Sequence, residues 1–391
     1  MKILILGCYY SPNLGDGVIC ECVAKQIRDK YLDADIYIED LWDRSGFSSR
    51  DQDNTSIPIS HKQLIYRRLR GFCYRIITKY LNWDVQYISM NNRLRENQAQ
   101  LDRICAYDCD LVVFAGGQMF MDGYALRLWY VIKNFEKKGV PVILNACGTG
   151  PTYSKKLRKH LRYALNASNV VAVSCRDDVQ TVNEFYFPLT ADAVETFDPA
   201  LSCANTYGIE KNNDAKVVGL GIMQTGRLSP KVMLRFWHRL IAELENNQVP
   251  WKVFVNGENC DLSYARYVIE TLPGLHKNFE DCFVQIPLEP EELLRTISQF
   301  KSIISFRLHS HIIATSLDIP SVAVVWDDKV RSFFEKIGHP ERCCTIHSSP
   351  IEVLDKLAVA EMEGFDRALI QEQSALSEKW LIDAIQKLNM K

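Results

Sequence analysis

Two residues whose side chains can bind anions or transfer protons, Arg307 and His309, follow the apolar run Ile303–Ser305. Residues two apart on extended chain project to the same side, so we expect the guanidinium and the imidazole to lie together. A helix predicted over His311–Ser316 would add its positive end. Lys329 follows the next predicted strand, and parallel strands end at one edge of a sheet, so the three cations predict an anion site. Because an imidazole titrates near neutral pH, His309 is the candidate proton donor.

Arg176 is a further candidate for binding an anion, since it follows the strand-like run Val170–Ser174 and precedes Asp177. At the carboxyl end of a parallel strand its side chain is expected to point into a cleft. Its planar fork of donors suits a carboxylate or a phosphate. The alternative is that Arg176 and Asp177 pair with each other and only hold the loop.

Glycine-containing loops follow two other predicted strands. Asn13, Gly15 and Asp16 lie between a strand and a helix, where glycine lets backbone N–H groups approach an anion. Asp16 either caps this helix or acts on a substrate hydroxyl, and capping is the favoured interpretation. Gly116 and Gly117 form either a structural turn or a ligand loop, and they lack the G-x-G-x-x-G spacing of a dinucleotide site.

The composition is that of a soluble globular protein, with 47% apolar and 24% charged residues in a chain of 391. Lys and Arg number 46 and Asp and Glu 48, which gives a net charge of −2. A balance so close to zero argues against a dedicated nucleic-acid-binding protein.

The cysteines and the apolar segments indicate a compartment. The chain has thirteen cysteines, and this odd number predicts reduced thiols in the cytoplasm. They include no C-x-x-C pair and no set with the spacing of zinc ligands, which predicts that there is no metal site. The apolar run after Met1 is too short for a signal peptide. No apolar stretch is long enough to predict a membrane span.

Strand-like runs that each end in a glycine or polar loop before a helical pattern predict an α/β protein with parallel sheets. We expect strands at Lys2–Gly7, Ile36–Glu39, Leu111–Phe114, Val140–Asn145 and Val170–Ser174, and a second set at Val217–Ile222, Trp251–Val255, Ile303–Ser305 and Ser321–Val325. They predict two Rossmann-like domains, at residues 1–205 and 206–345, followed by C-terminal helices at 346–391. The cleft between the domains is the expected site.

Two basic segments stand out from the predicted alternation of strands and helices. Residues 45–60 are expected to be a loop, and residues 62–83, within an insertion at about 60–85, form a basic amphipathic pattern without acidic residues. Such a helix either packs on its own domain, which is favoured, or meets a membrane surface or anionic phosphates. A second basic cluster over residues 155–162 is interpreted as a solvated helix face.

Taken in order, these motifs resemble the polysaccharide pyruvyl transferase family. The resemblance rests on Asn13-x-Gly15-Asp16, Asp110–Gly117, Gly139–Val142, Gly148-x-Gly150-Pro151, Ser174-x-Arg176-Asp177, Asp198-Pro199-Ala200, Arg307-Leu308-His309 and Asp328-Lys329. Gln118 stands where the family often has a glycine or another small residue, and residues 45–100 have no counterpart.

The resemblance implies a GT-B-like fold and the transfer of pyruvate from phosphoenolpyruvate onto two hydroxyls of a sugar, which yields a cyclic ketal and phosphate. It implies that Arg176, Arg307, His309 and Lys329 bind and activate phosphoenolpyruvate. Asn13, Gly15, Asp16, Gly116, Gly117, Gly148 and Leu308 are the expected substrate-binding residues. No cofactor and no metal are expected, because cationic side chains would stabilise the charge.

The expected partners are phosphoenolpyruvate and a saccharide acceptor that is lipid-linked, nucleotide-linked or already polymerised, and the basic segment favours a lipid pyrophosphate. That would place the protein at the inner face of the cytoplasmic membrane. The alternative is a GT-B glycosyltransferase that uses a nucleotide sugar, in which Glu258 and Asp261 would bind ribose hydroxyls.

Overall fold

The first of two parallel sheets is built by the N-terminal half of the chain. The computed structural model describes residues 1–42, 44–47, 69, 84–186 and 192–389. The strands of this sheet are β1 (Lys2–Gly7), β2 (Asp35–Asp40), β3 (Leu111–Phe114), β5 (Val142–Leu144), β7 (Val170–Cys175) and β8 (Val194–Glu195), in the spatial order β2-β1-β3-β5-β7-β8. Two short strands, β4 (Gly117–Phe120) and β6 (Cys147–Thr149), pair separately. Ile3–Leu6 are fully buried, as expected for a strand covered on both faces.

The second sheet is also parallel and lies in the C-terminal half. Its strands are β9 (Val218–Gly221), β10 (Trp251–Phe254), β11 (Ser302–Ser305), β12 (Ser321–Val324) and β13 (Cys343–Cys344), in the spatial order β10-β9-β11-β12-β13. Parallel strands need crossover connections, and helices supply them here.

Helices cover both sheets. Around the first sheet they are α1 (Gly15–Lys30), α2 (Val85–Glu96), α3 (Gln98–Ala106), α4 (Ala125–Lys137), α5 (Lys155–Leu165), α6 (Val179–Phe185) and α7 (Cys203–Tyr207). Around the second they are α8 (Pro230–Asn246), α9 (Asn259–Glu270), α10 (Phe279–Cys282), α11 (Pro290–Ser298), α12 (Leu308–Ser316), α13 (Asp328–Lys336) and α14 (Pro350–Glu363), and the chain ends in α15 (Arg367–Asn389). Two short 3-10 turns lie at Pro199–Ser202 and Pro340–Arg342.

One apolar core runs between the two halves. It joins side chains of β1 and α1 to side chains of β11, α12 and α15. The loop before α1 touches the second half directly, since the backbone N–H of Leu14 donates to the carbonyl of Asn256 at 2.9 Å. Gly257 has a φ of +105°, and a Cβ there would meet the carbonyl of Pro12, so glycine permits this close approach.

The α/β class and the parallel sheets predicted from the sequence are confirmed. Each predicted strand is observed to within about two residues at each end, and the structure adds four short strands that were not predicted, β4, β6, β8 and β13. The two C-terminal helices are present, but they pack on different parts of the fold: α14 packs on α8 and β12, whereas α15 packs on α1 and the turn at Pro199–Ser202. The domain limits themselves stay a prediction.

Two other expectations have different outcomes. The helix expected at His311–Ser316 begins earlier, at Leu308, so the prediction of extended chain through Arg307–His309 is wrong. The predicted loop at 45–60 and the basic helix at 62–83 lie outside the described residues, apart from residues 45–47 and 69. Among the described helices, none combines the length and apolarity needed to cross a membrane.

Candidate functional site

A cavity of about 310 Å³ lies where the carboxyl ends of the two sheets face each other. Both halves of the chain contribute to it, through the loops after β1, β3, β7, β11 and β12. Its walls are formed by Cys8, Asn13, Asp16, Ile19, Gly116, Gly117, Gln118, Met119, Met121, Tyr124, Arg176, Arg307, Leu308, His309, Trp326 and Lys329. The structure therefore brings together all four residues predicted to act on the donor, although their sequence separation exceeds 150 residues.

His309 enters the cavity from the first turn of α12 rather than from extended chain. The helix starts at Leu308, and Arg307 has the backbone conformation of an N-cap residue. The imidazole is buried, and its Nε2 lies 3.8 Å from Oδ2 of Asp198, too far for a hydrogen bond. Nε2 has no hydrogen-bond partner among the described residues. A buried nitrogen left in this state is available to a ligand.

Gly15 explains how the imidazole fits there. A Cβ built on Gly15 would overlap the ring of His309. Glycine at the first position of α1 thus lets the ring lie flat against the backbone of the other half. Gly15 is not among the residues that form the cavity wall, and its predicted contact with substrate stays a prediction.

Arg176 pairs with a carboxylate that the sequence did not suggest. Its Nη1 donates to Oδ2 of Asp198 in a buried ion pair. Asp177 instead accepts from the backbone N–H and the hydroxyl of Thr149, at 2.8 and 2.9 Å. The alternative that Arg176 pairs with Asp177 is therefore wrong, because its partner is Asp198. Asp177 does hold a loop, the one after β6.

The pKa values at this pair follow from burial and charge. Burial alone would raise the pKa of Asp198, but the Arg176 guanidinium and the nearby imidazole hold it at about 2. Burial disfavours charged Arg176, and the carboxylates of Asp198 and Asp177 outweigh this and raise its pKa. Both groups are ionised at neutral pH.

Arg307 is held between two carboxylates. Its Nε donates to Asp261 at 2.9 Å, and its Nη2 donates to Asp261 at 2.6 Å and to Glu258 at 2.7 Å. Burial raises the pKa of Asp261 to about 6 against the opposing effect of the guanidinium, while Arg307 lowers the pKa of Glu258 despite its burial. Nη1 donates no hydrogen bond within the described part of the chain and remains for a ligand.

These pairs correct the charge argument made from the sequence. The sequence predicted that two arginines and a lysine bind an anion, with an Arg176–Asp177 pair as the alternative for Arg176. The structure instead gives Arg176 one carboxylate partner and Arg307 two. The net positive charge of the cavity is therefore smaller than the residue types indicate.

Lys329 supplies the cation that lacks a carboxylate partner among the described residues. Its Nζ contacts Oε1 of Gln118 at 3.3 Å across the cleft and lies 5.2 Å from the ring centre of Trp326. Burial lowers the pKa of Lys329, against a smaller opposing effect of Asp327. An anion entering the cavity would meet this ammonium group directly.

Two helix N-termini converge on the same space. α1 and α12 both begin at the cavity wall, and neither has a side-chain cap. The backbone N–H of Asp16 donates to the carbonyl of Asn13, and that of Ser310 to the carbonyl of Arg307, at 3.0 and 3.1 Å. The other N–H groups of each first turn have no acceptor within the helix, and the helix dipole favours an anion there. The favoured interpretation of Asp16 as a cap is wrong, because Leu14 holds the N-cap position and Asp16 lies inside the first turn.

The glycines predicted to contact substrate have two different roles, since some line the cavity and others support its structure. Gly116 and Gly117 line the cavity with φ values of +118° and +89°, and a Cβ on Gly117 would meet nothing within 4 Å. This open space makes Gly117 a place where a ligand can approach the backbone. Gly148 lies outside the cavity wall, where a Cβ would collide with Asp177, so it supports the loop.

The remaining predicted contacts are at the wall, and some wall residues were not predicted. Asn13, Asp16 and Leu308 line the cavity, and Oδ1 of Asn13 is buried without a partner in the described structure. Sequence reasoning missed Asp198 and Tyr124 as site residues. Asp198 belongs to a quoted motif, whereas Tyr124, whose hydroxyl contacts Cys8 Sγ at 3.0 Å, gives no sequence signal.

The comparison with protein families agrees with this geometry. The family model of the polysaccharide pyruvyl transferases matches residues 13–328, which include every wall residue after Cys8 except Lys329. The chain belongs to the polysaccharide pyruvyl transferase family. Membership makes it a transferase that modifies polysaccharide. A comparison with curated protein sequences finds no significant match.

Solved structures show the fold of this family member. The MnaA protein of S. aureus in complex with UDP is 11% identical, with a TM-score of 0.55 over 100% of this chain and 97% of that one. A UDP-GlcNAc 2-epimerase from Neisseria meningitidis bound to UDP-GlcNAc is 9% identical, with a TM-score of 0.57 over 99% and 100%. At such identities the likeness concerns the fold alone, which is the predicted GT-B arrangement of two Rossmann-like halves.

Among the described residues two groups of side chains have the composition of a metal site, and one of them adjoins Arg307 in the cavity wall. Glu258, Cys260 and Asp261 bring ligand atoms within 4.8 Å of one another. The guanidinium of Arg307 already contacts both carboxylates. In this pyruvyl transferase family member the cluster therefore serves to hold Arg307.

Proposed function

We propose that the protein transfers the pyruvyl unit of phosphoenolpyruvate onto two hydroxyls of a surface-polysaccharide sugar or its lipid-linked precursor, with release of phosphate. One observation carries the proposal: buried His309, with an unpartnered Nε2, lies in one cavity with the ammonium of Lys329 and two uncapped helix N-termini. An anion bound by the last three groups would lie beside a proton donor.

Phosphoenolpyruvate suits this cavity because it carries a phosphate and a carboxylate on a three-carbon unit. Lys329 and the N-terminus of α12 favour the phosphate, and the Gly116–Gly117 backbone and the start of α1 favour the carboxylate. Arg176 and Arg307, though paired, retain N–H groups at the cavity wall. Their role is to add directed hydrogen bonds rather than a large excess of charge.

The chemistry follows from the imidazole. As imidazolium, His309 gives a proton to the methylene carbon, which leaves the adjacent carbon open to attack by a sugar hydroxyl. That carbon becomes oxocarbenium-like, and the phosphate and carboxylate of the substrate itself offset its positive charge, while the ionised carboxylate of Asp198 stabilises the imidazolium. The first hydroxyl forms a carbon–oxygen bond and loses its proton, which restores His309.

Ketal formation completes the transfer. The bond between the former enol carbon and the phosphate oxygen breaks, and the second hydroxyl forms the second carbon–oxygen bond. Its proton leaves with phosphate, so one hydroxyl proton replaces the proton delivered to carbon and the other is carried by phosphate. Asp16, also in the cavity wall, is our candidate for orienting the acceptor hydroxyls.

The alternative of a glycosyltransferase that uses a nucleotide sugar depended on Glu258 and Asp261. Both carboxylates contact Arg307. Binding ribose hydroxyls would require them to give up those contacts, and Asp261 is fully buried. This arrangement favours the pyruvyl transfer.

The reaction is tested by phosphate release from phosphoenolpyruvate in the presence of the saccharide fraction from the surface of the source cells. We expect phosphate release that requires the saccharide, and a pyruvate ketal detected in the product by mass spectrometry. The His309→Gln protein should keep its melting temperature and release no phosphate. Near-normal turnover by that variant would contradict the role of His309 as the acid.

A further inference from the structure

Helix α5 (Lys155–Leu165) presents a strongly basic face to solvent. The basic face consists of Lys155, Lys156, Arg158, Lys159 and Arg162, and all five side chains are exposed. The opposite side of the helix is apolar and buried, through Leu157, Leu161 and Ala164. Packing therefore accounts for the apolar side, and the basic face is left for another role.

No described neighbour neutralises the charges of the basic face. None of the five forms an ion pair with a described carboxylate, although surface cations of this protein commonly do elsewhere. Three instead lie over aromatic rings: Lys156 over Tyr87, Arg158 over Phe185 and Lys159 over Tyr163, at 5.2, 5.4 and 5.5 Å from the ring centres.

Large rings stand exposed around the same face. Tyr153 is 76% exposed, Tyr163 54% and Phe185 49%. Exposed aromatic rings beside unpaired cations match the chemistry of a bilayer interface, where the rings enter the headgroup region and the cations meet lipid phosphates.

We propose that the basic face and its three exposed rings dock the protein onto an anionic phospholipid bilayer. The surface is one convex helix, which suits a flat membrane, whereas proteins that follow a single nucleic-acid strand use a charged groove. The net charge of the whole chain is −2, so the attraction is local to this face.

The basic face begins at the rim of the catalytic cleft. Gln118, a cavity residue, donates to the carbonyl of Thr149 at 2.8 Å. Asp122 then accepts from the backbone N–H groups of Tyr153 and Ser154, at 2.9 and 3.2 Å, and fixes the start of α5. A docked bilayer would therefore lie beside the cleft opening, and a lipid-linked acceptor could reach it, an extension that rests on the proposed function.

The test measures sedimentation of the full chain with vesicles of phosphatidylcholine alone and with about 30% phosphatidylglycerol. We expect binding only to the anionic vesicles, weakening as salt is added. Lys159→Gln/Arg162→Gln should weaken that binding by about tenfold or more. Tyr163→Ser should also weaken it while leaving the charge unchanged.

A matched control removes one lysine and one arginine from another exposed helix, α8. Lys231→Gln/Arg235→Gln should bind vesicles as the unchanged protein does. Three results would overturn the proposal: no binding to anionic vesicles at low salt, equal loss in both double variants, or binding to single-stranded DNA without binding to vesicles. Phosphate release with a soluble saccharide should be unaffected by Lys159→Gln/Arg162→Gln, which separates failure of docking from failure of the proposed reaction.

Discussion

The carboxylate of Asp198 lies between two groups of the site: its Oδ2 accepts from Nη1 of Arg176 and stands 3.8 Å from Nε2 of His309. One oxygen thus belongs to a buried ion pair and faces the candidate acid. At that distance the carboxylate acts on the imidazole through its charge and leaves Nε2 to the ligand. Asp198 is therefore expected to position His309 and to stabilise its charged form.

Replacing Asp198 with Asn tests this positioning role. The amide keeps the shape but removes the negative charge, so the imidazolium loses its stabilisation and phosphate release should fall by about 100-fold. The measurement is phosphate release together with the melting temperature, with Asp177→Asn as the neighbouring control. An unchanged rate of phosphate release in the Asp198→Asn protein would contradict the role.

Gly15→Ala should displace the His309 ring. A Cβ at that position would overlap the imidazole, and a misplacement of about 1 Å costs on the order of 100-fold in rate. Gly123→Ala is the matched control, because its Cβ would meet only the flexible end of Met121 at 3.8 Å. Phosphate release and melting temperature are measured on both proteins. Full activity in Gly15→Ala would show that the close contact does not set the ring position.

Arg307→Ala should destabilise the fold by about 3–5 kcal/mol, because it leaves Glu258 and fully buried Asp261 without their cation. The control is Arg227→Ala, since Arg227 is half exposed and pairs with Asp327 at the surface. That change should cost less than about 1 kcal/mol. Urea unfolding of both variants measures the difference, and equal losses would contradict the structural role of Arg307.

The burial of His311 predicts that the protein loses stability as the pH falls below neutrality. It is fully buried, its Nε2 contacts the carbonyl of Ser305 at 2.9 Å, and burial lowers its pKa to about 4 from 6.5. The unfolded chain therefore binds a proton at higher pH than the folded one. Stability from neutral His311 should be complete above pH 6.5 and fall by about 3 kcal/mol as the pH drops to about 4.

Asp261 has the opposite effect on the free energy of unfolding over part of that pH range. Its pKa is raised to about 6 from 3.8 in the folded protein, so its contribution to stability grows as the pH falls from 6 toward 3.8. Comparing the unchanged protein with His311→Gln by urea unfolding at several pH values cancels the Asp261 effect. The difference between them should shrink as the pH falls, and a constant difference would show that His311 is not buried in its neutral form.

Much of the fold followed from the sequence because its signals are local. Apolar runs such as Leu111–Phe114 and Ser321–Val324 are buried on both faces, and that pattern is visible in the residues themselves. The start of α12 was misplaced because Leu308 and His309 carry no capping signal, and Arg307 is an uncommon N-cap residue.

The sequence predicted which residues form the site more fully than it predicted which of their side chains pair with each other. Arg176, Arg307, His309 and Lys329 share a cavity because parallel strands end at common edges, which topology alone implies. Which carboxylate faces which guanidinium depends on contacts between distant segments, such as Asp198 reaching Arg176. No spacing in the chain encodes these distances, so the extent of charge pairing became visible only in three dimensions.

The central claim, that the cavity holds phosphoenolpyruvate, is tested most directly by calorimetric titration of the full chain with phosphoenolpyruvate beside UDP-N-acetylglucosamine. We predict saturable binding of phosphoenolpyruvate that Lys329→Gln weakens by about tenfold or more, because one charge-assisted contact with the phosphate is lost. Binding of the nucleotide sugar in the cavity, with none of phosphoenolpyruvate, would contradict the account.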